Sequence, residues 1–328
     1  MTPWPRIDGF ENAIVDGAAR SQYAQIDEQG RYGPLERRRQ LDQALGGLDL
    51  DQRLRSAQGR GEFEVHFQPE VELATGRVIG AEALLRWRCD GVLRDAVSFI
   101  DVVEETGSTN ADLLARPDIA GSVLLAEYQT AGRGRHGRQW SAPARSQVAM
   151  SVGVDTTGIP TDTWGWLPLL TGVAAVDVVR EHVDAGLKWP NDVLVDTGKL
   201  GGILAEVANP GVVVVGIGLN VSLTADELPD PRATSLELLG ATVDRSELAA
   251  KLLRALTSRV DQWRAGEPAL VADYHRYSLT VGTRVRALLP GDAELLGTAV
   301  GIDEFGRLQI DDGTSTVTVS AGDITHLR

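Results

Sequence analysis

The sequence predicts an α+β protein in which a mixed sheet with helices is followed by a small β-barrel. Strand-like alternation and helical periodicity both occur between residues 101 and 279, whereas residues 280–328 contain only strand-like runs separated by turns. Hydrophobic residues make up 43% of the 328 residues and charged residues 24%, which is typical of a well-buried globular protein.

The charge balance excludes some functional classes. A net charge of −14 opposes sequence-independent binding to nucleic acid or to an anionic membrane, because both require a broad basic surface. The single cysteine, Cys89, cannot form an internal disulfide, and no signal peptide or membrane span is recognisable. We therefore expect a soluble, cytoplasmic protein that needs no oxidising compartment.

The N-terminal part differs from the rest of the chain in composition and periodicity. Residues 1–58 are predicted to be poorly ordered, with partial helix over 36–58 that Gly46 and Gly47 interrupt. The runs "EFEVHFQPEVEL" and "VIGAEALLRW" then alternate apolar and polar residues as strands do, with "ATGR" as the turn between them.

The central region predicts helices with clear boundaries. Ser108 or Thr109 caps a short helix that ends before Pro117, and residues 164–183 place apolar side chains at helical spacing. Asp244 and Glu247 form a predicted capping box for a long amphipathic helix, and a shorter helix follows near 267–277.

Strands account for the remaining central segments. The runs "SVLLAEYQT", "SQVAMSVGV", "KWPNDVLV", "KLGGILAEV" and "GVVVVGIGLNV" are each predicted to be one strand, with Lys188 at the start of the third. Four further runs, "TRVRALL", "ELLGTAVGI", "RLQID" and "STVTVS", are joined by turns that suit hairpins and build the C-terminal barrel.

A glycine- and arginine-rich loop, "TAGRGRHGRQW" at 130–140, concentrates positive charge in this acidic chain. The letters fit the dinucleotide-binding pattern G-x-G-x-x-G, but that mechanism requires a helix after the third glycine, and here Pro143 and a strand follow. A phosphate-binding Walker loop is excluded because no Gly-Lys-Ser/Thr follows. Taken alone, the loop is better explained as a solvated, mobile segment.

The order of several separated motifs favours a ligand site. The motifs are "GSTN" (107–110), "EYQTAGRGRHGRQW" (127–140), "LKWPNDVL" (187–194), "GKLGGILAE" (198–206) and "GIGLNV" (216–221). In order and spacing they resemble the biotin protein ligases, and the resemblance extends from about residue 101 to 328. It implies a mixed sheet like that of class II aminoacyl-tRNA synthetases over 101–279 and a Src-homology-3-like barrel over 280–328.

The resemblance also implies a reaction. In this family the carboxylate of biotin attacks the α-phosphate of ATP, and a lysine of a biotin carboxyl carrier domain, as in acetyl-CoA carboxylase, then accepts the biotinyl group. The implied small molecules are biotin, ATP and Mg²⁺. We expect a monomer or weak homodimer, without nucleic-acid or membrane partners.

The catalytic residues implied by the resemblance are Lys188 and Arg133. A carboxylate and a triphosphate repel each other, so cationic donors must offset that repulsion in a water-poor site. The alternative for Lys188 is a solvated lysine at a strand end, and for Arg133 and Arg138 it is solvation at the surface.

Biotin contacts are implied for polar residues and for glycines of the motifs. The ureido ring needs hydrogen-bond partners in an apolar pocket, and glycines let the backbone approach. The biotin-binding set is Ser108, Thr109, Gln129, Gly132, Arg133, Arg135, Lys188, Gly201 and Gly202. A helix cap for Ser108 and Thr109, and a plain bulge at the glycine pair, are the alternatives that remain open.

Nucleotide and metal contacts complete the expected site. The nucleotide-binding set is Arg133, Arg135, His136, Trp140, Asn191 and Asn220, and Asp192 is the expected Mg²⁺ contact. Trp140 is expected to stack on adenine, with a core tryptophan as the alternative, and Asn191, Asp192 and Asn220 are alternatively turn residues. The loop at 131–140 is expected to be mobile without ligand and ordered with adenylate.

Residues 59–87, with "FQP" and "EALLRW", resemble the opening of an EAL domain, a cyclic-di-GMP phosphodiesterase barrel. There Glu82 would match a metal ligand and Arg86 a phosphate contact. An eight-unit barrel requires on the order of 200 residues, so 59–100 is expected to be a truncated fragment without phosphodiesterase activity. Because no helix pair with a basic recognition face is recognisable, we also expect no repressor function.

Three alternatives to a transferring biotin ligase remain open at this point. The first is a degenerate cyclic-di-GMP-binding sensor module, and the second is a lipoate-type ligase on the same fold. The third is a regulator that holds biotinyl-adenylate without transferring it.

Overall fold

The structure is a computed structural model. It describes the backbone of residues 63–71, 78–89 and 92–95, and both backbone and side chains over 100–117, 119–209, 211–289 and 293–327. The predictions of disorder and partial helix over residues 1–58 lie outside the described residues.

A seven-stranded mixed sheet forms the centre of the molecule. Its strands are β4 (Ile100–Thr106), β5 (Val123–Gln129), β6 (Gln147–Asp155), β7 (Ala185–Lys188), β8 (Asp192–Val195), β9 (Gly198–Asn209) and β10 (Val212–Asn220). Their order across the sheet is β4-β5-β6-β10-β9-β8-β7. Only β4 and β5 run parallel, and all other neighbours are antiparallel.

Helices cover the sheet and bury most of the core. They are α1 (Thr109–Leu114), α2 (Trp166–Val179), α3 (Arg245–Arg264) and α4 (Pro268–Tyr277). Twelve residues of α2 are buried, so this helix is enclosed on all sides instead of presenting a single apolar stripe. Removing such a large apolar surface from water is the main term that holds the helices on the sheet.

The N-caps agree with the sequence prediction, with one correction. Ser108 caps α1, and the Asp244 carboxylate accepts hydrogen bonds from the amides of Ser246 and Glu247 at the start of α3. The reciprocal half of the capping box is not formed. Glu247 is instead ion-paired with Lys251, one turn further along the exposed face.

The prediction of a single strand for "KWPNDVLV" was wrong. Lys188 ends β7 and Asp192 begins β8, so residues 189–191 reverse the chain and the two strands pair as a hairpin. Pro190 explains the break, because proline has no N–H to donate to a sheet. Lys188 therefore lies at the end of a strand, beside the turn.

A second, five-stranded antiparallel sheet forms the C-terminal part. Its strands are β11 (Arg284–Leu288), β12 (Glu294–Ile302), β13 (Leu308–Asp311), β14 (Thr316–Val319) and β15 (Asp323–His326). The first four were predicted, whereas β15 was missed. It pairs with β11 at the other side of the sheet, and four residues were too few for a period-2 signal to be recognised.

Tryptophans join the C-terminal sheet to the central one. The Trp189 indole N–H donates to the carbonyl of Gly306 at 3.1 Å, and that of Trp166 donates to the carbonyl of Glu304 at 3.0 Å. Both indoles are buried. The β12–β13 turn therefore packs directly against the strand end that carries Lys188.

The N-terminal segment forms a separate antiparallel sheet of β1 (Phe63–Val71), β2 (Val78–Cys89) and β3 (Val92–Asp95). The first two strands were predicted and the third was not. In the register of this sheet Glu82 is opposite Gln68, and Arg86 is opposite Glu64.

Candidate active site

A cavity of about 740 Å³ lies beside the glycine–arginine loop and the β7–β8 turn. Most of the residues predicted for the site line it: Ser108, Thr109, Gln129, Arg133, Arg135, Trp140, Lys188, Asn191, Asp192, Gly202 and Asn220. The fold thus brings together segments that are separated by more than a hundred positions in the sequence.

Three predicted residues do not line the cavity: Gly132, His136 and Gly201. Gly132 is where the two ends of the loop approach, since a side chain there would meet the Trp140 carbonyl at 2.3 Å. His136 lies in the turn at the tip of the loop, with a φ of 55°. Gly201 is next to Gly202 on β9 and therefore faces the other side of the sheet, toward Leu219 and Val193.

Glycines on β9 and β10 form the floor under Trp140. A Cβ at Gly218 would meet the indole nitrogen at 2.3 Å, and one at Gly202 would meet the ring at 3.0 Å. The indole N–H donates to the Gln147 side-chain oxygen at 2.6 Å, and the Lys199 ammonium lies 5.7 Å from the ring centroid. Trp140 is thus held flat against the floor of the cavity.

Thr109, Asn110 and Gln129 line the cavity and belong to a network of neutral polar groups. The Gln129 side-chain oxygen accepts from the Thr109 amide at 2.9 Å and from the Thr109 hydroxyl at 3.1 Å. The Ser151 hydroxyl lies 2.7 Å from the Thr109 hydroxyl and 2.6 Å from the side-chain oxygen of Asn110. Such a set of buried donors and acceptors suits a neutral polar ring.

The glycine–arginine loop is a short hairpin. Arg133 pairs with Gln139 as an antiparallel bridge, the Gly134 amide donates to the Arg138 carbonyl at 2.7 Å, and the Trp140 amide donates to the Gly132 carbonyl at 2.8 Å. Its backbone is therefore internally hydrogen-bonded.

Three arginines fasten this hairpin to three different elements. Arg133 is ion-paired with Glu206 on β9, and Arg138 is ion-paired with Asp323 on β15. Arg135 donates to the Asn191 side-chain oxygen at 3.4 Å. Burial lowers the pKa of Arg135 below its ordinary value, and the carboxylates of Asp323 and Asp192 oppose that effect. An arginine remains charged at neutral pH despite such a shift.

Lys188 is half-buried at the end of β7 and lines the cavity. Burial lowers the pKa of its ammonium group, Asp192 opposes that shift, and the positive charges of Lys199 and Arg232 reinforce it. A lysine that is desolvated beside other cations binds anions more strongly than a solvated one, because water no longer competes for its N–H groups.

The residues after Lys188 are held by the neighbouring strand. The side-chain amide of Asn191 donates to the Ile203 carbonyl at 2.9 Å, and the backbone amide of Ile203 donates to the backbone carbonyl of Asn191 at 2.9 Å. Asp192 forms an ion pair of 2.7 Å with Lys199. Asn220 is buried and donates to the Thr234 carbonyl at 2.9 Å, so it fixes the segment that follows β10.

Sequence reasoning missed several residues that complete the site. Asn110, Glu206 and Lys199 stand inside the quoted motifs but were assigned no role, and Ser151, Arg232 and Asp323 are in segments that were not singled out. The motifs contained a signal for the first three, since they are polar residues on strands or helices that otherwise bury apolar groups. No local signal exists for Asp323, because its partner is 185 positions away.

The arrangement suits the joining of two anions. Lys188, Arg133 and Arg135 contribute cationic side chains to the cavity lining, and Thr109 and Gln129 contribute neutral polar groups. Among the described residues, no group of three or more His, Cys, Asp or Glu side chains is placed to hold a metal ion. Within those same residues, the structure has no helix that is both long enough and apolar enough to span a bilayer.

Comparison with known proteins agrees with this chemistry. The model of the biotin/lipoate A/B protein ligase family matches residues 100–223, and the model of the biotin protein ligase C-terminal domain matches residues 280–327. The biotin–[acetyl-CoA-carboxylase] ligase of Mycobacterium tuberculosis is 55% identical over 239 residues, which cover 70% of this chain and 89% of the relative. The chain belongs to the biotin protein ligase family.

Further relatives support the assignment to the biotin protein ligases. The bifunctional ligase/repressor BirA of Bacillus subtilis is 30% identical over 244 residues, covering 71% of this chain and 74% of the relative. The structure of a biotin protein ligase from Aquifex aeolicus in complex with biotin and ATP superposes with a TM-score of 0.62 at 28% identity, covering 70% of this chain and 98% of that one.

The resemblance of the N-terminal segment to an EAL domain is also found by a family model. The EAL domain model matches residues 51–111 and so overlaps the ligase match. In the structure β4, which lies in this overlap, is hydrogen-bonded to β5 as part of the seven-stranded sheet. The overlapping residues therefore belong structurally to the ligase sheet.

Proposed function

We propose that this protein activates biotin with ATP to form biotinyl-5′-adenylate and transfers the biotinyl group to a lysine of a carrier domain. The observation that carries the proposal is the convergence of Lys188, Arg133 and Arg135 on a cavity that the neutral polar groups of Thr109 and Gln129 also line. The relatives named as biotin ligases support biotin and ATP as the substrates.

In the first step a carboxylate oxygen of biotin attacks the α-phosphorus of ATP. A new oxygen–phosphorus bond forms, and the bond to the β-phosphate breaks to release pyrophosphate. Lys188 would stabilise the charge that develops between the carboxylate and the α-phosphate, and the arginine fork of Arg133 would hold the carboxylate. The polar network around Thr109 and Gln129 would bind the ureido ring.

In the second step a carrier lysine attacks the acyl carbon of the mixed anhydride as a neutral amine. An amide bond forms, AMP leaves with the bridging oxygen, and the amine loses a proton. The hairpin 130–140 would cover the adenylate and exclude water, which would otherwise hydrolyse the anhydride. The acceptor that the relatives' names support is the carrier domain of acetyl-CoA carboxylase.

The residues present fit a Mg²⁺ ion that arrives mainly on the phosphates. Mg²⁺ usually takes one or two carboxylates together with substrate phosphates and water, and Asp192 presents a carboxylate to the cavity. When bound, the ion would neutralise charge on the triphosphate. Asp192 would then divide its oxygens between Lys199 and the ion.

The proposal extends to partners and location. We propose a cytoplasmic protein that acts as a monomer or weak homodimer and neither binds DNA nor represses transcription. The acidic composition and the single cysteine support this, because a net charge of −14 disfavours a broad contact with phosphate backbones.

The direct test is an incubation of the full chain with ATP, Mg²⁺, biotin and a biotin carboxyl carrier domain. We expect one carrier lysine to be biotinylated, and Lys188→Ala to lower the rate by about a hundredfold or more while the chain stays folded. Thermal unfolding of the variant is the control. Adenylate formation from lipoate with no labelling by biotin would replace this proposal with a lipoate ligase.

If the protein forms and holds biotinyl-adenylate but labels no carrier lysine, it is a binding regulator instead of a ligase.

The match of the EAL domain model raises a separate question about the N-terminal segment. We propose that it lacks phosphodiesterase activity, since a closed barrel requires on the order of 200 residues. Heat released when the protein is titrated with cyclic-di-GMP would instead support the hypothesis of a cyclic-di-GMP-binding sensor module.

A further inference from the structure

We propose that Glu206 is a positioning residue that holds Arg133 of the hairpin in place for the biotin carboxylate and couples it to the ureido-binding network. The inference rests on the function proposed above and goes beyond it, because Glu206 itself does not need to touch either substrate. It is carried by the contacts of the two Glu206 carboxylate oxygens.

The first oxygen engages the hairpin. Glu206 Oε1 is ion-paired with Nη2 of Arg133. A guanidinium has five N–H donors, so pairing at one terminal nitrogen leaves donors for a substrate carboxylate. Arg133 still lines the cavity while it is paired. The pair therefore orients the guanidinium without occupying its whole donor surface.

The second oxygen engages the polar network. Glu206 Oε2 accepts from the side-chain amide of Asn110 at 2.9 Å, and the same side-chain amide donates to the Leu204 carbonyl at 3.1 Å. The side-chain oxygen of Asn110 lies 2.6 Å from the Ser151 hydroxyl, which in turn donates to the Thr109 hydroxyl. One carboxylate thus connects the cationic hairpin to the residues expected to bind the ureido ring.

The surrounding sheet is shaped to hold this connection. Asn110 is buried, and a Cβ on Gly216 would meet its side-chain oxygen at 2.0 Å, so the glycine provides the space that Asn110 occupies. Glu206 is on the same face of β9 as Gly202 and Leu204, both of which line the cavity. Its side chain is 21% exposed, against 44% for Arg133.

The consequence is preorganisation of a flexible cation. An arginine on a glycine-rich loop loses rotamer freedom when it binds a carboxylate, and that loss weakens binding. A partner that restricts the side chain beforehand lowers this cost. Glu206 is therefore expected to strengthen biotin binding specifically, with a smaller effect on the chemical step.

The test compares wild type, Glu206→Gln and the matched control Glu294→Gln, whose glutamate is exposed on β12. Biotin-dependent exchange of pyrophosphate into ATP gives KM for biotin and kcat. We expect Glu206→Gln to raise KM for biotin about tenfold with kcat changed less than threefold, as loss of one charged hydrogen bond predicts, and Glu294→Gln to match wild type.

A second measurement does not depend on activity. Trypsin cleaves after arginine, so without substrates the hairpin of Glu206→Gln should be cut several times faster than that of wild type, while both chains unfold at similar temperatures. Unchanged cleavage together with an unchanged KM for biotin would overturn the inference. A lower KM in Glu206→Gln would also overturn it, since Glu206 would then compete with biotin for Arg133.

The failures of the two proposals are distinguishable. A wild-type chain without biotin-dependent exchange would refute the proposed function, whatever the variant does. Normal exchange in wild type, with neither the KM for biotin nor the tryptic cleavage of the hairpin changed in Glu206→Gln, would refute the positioning role alone.

Discussion

At the scale of single residues, Lys188 has the environment that distinguishes it from an ordinary surface lysine. It is half-buried at the end of β7, and its pKa is lowered first by burial and then by Lys199 and Arg232, with Asp192 opposing. The positive charges of Lys199 and Arg232 also favour the binding of anions in the cavity. The burial that suits the Lys188 ammonium group to anion binding therefore also makes it easier to deprotonate.

This environment predicts an early alkaline limb in the activity. If adenylation requires the Lys188 cation, the rate of pyrophosphate exchange should begin to fall below the pH expected for a lysine with a pKa of 10.5. Lys188→Arg stays charged at high pH, so its residual activity should fall at a higher pH. Coincident alkaline limbs for the two proteins would show that another group titrates.

The sign of the stability effect follows from the same shift. The unfolded chain holds the Lys188 proton up to a higher pH than the folded chain does, because the folded pKa is the lower one. Between these two pKa values, the contribution of Lys188 to the free energy of unfolding therefore rises with pH.

At the scale of elements, the alternation of β9 and β10 decides which glycines serve the cavity. Gly202 and Gly218 lie under Trp140, whereas Gly201 faces Leu219 on the other side. The sequence predicted the glycine pair at 201 and 202 as one unit. It could not separate them, because the face of each residue depends on the pairing register of the strand.

Gly218→Ala tests the floor of the cavity. Its Cβ would meet the indole nitrogen of Trp140 at 2.3 Å, so the ring must move and lose its hydrogen bond to Gln147. We expect KM for ATP to rise about tenfold if the indole stacks on adenine, as loss of an aromatic contact predicts. Gly107→Ala is the matched control, because nothing lies within 4 Å of its Cβ position. An unchanged KM would leave Trp140 as a core residue only.

At the scale of the whole molecule, the C-terminal sheet takes part in the site. Asp323 on β15 is ion-paired with Arg138 of the hairpin, and the β12–β13 turn accepts hydrogen bonds from Trp189 and Trp166. Burial lowers the pKa of Arg135, and the charge of Asp323 opposes that shift. The hairpin is therefore fastened between the two sheets.

Asp323→Asn tests whether this fastening matters. The substitution keeps the shape of the side chain and removes its charge, so the Arg138 end of the hairpin should loosen. We expect about a threefold rise in KM for ATP and faster tryptic cleavage after Arg138, because the pair is partly exposed and such pairs are individually weak. Biotin binding measured by calorimetry should change less. Equal cleavage in both proteins would show that the Arg138–Asp323 ion pair does not hold the hairpin against the C-terminal sheet.

The sequence by itself determined the local structure and the chemistry of the motifs. The N-caps of α1 and α3, the buried stripe of α3 and four of the five C-terminal strands follow from patterns within a few neighbouring residues. The cationic character of the loop at 130–140 and the polar motif at 107–110 were recognisable for the same reason, whereas the hairpin pairing of that loop was not predicted. The charge and hydrogen-bonding capacity of these side chains can be read from the residue types without knowledge of the fold.

Only the tertiary structure decided which of these groups meet. The parallel pairing of β4 with β5, the Arg133–Glu206 pair and the Arg138–Asp323 pair join segments that no local pattern relates. Such contacts depend on how the whole sheet orders its strands, since the energies that select a register come from burial across the molecule. The position of Glu206 between the hairpin and the polar network around Thr109 and Gln129 is of this kind.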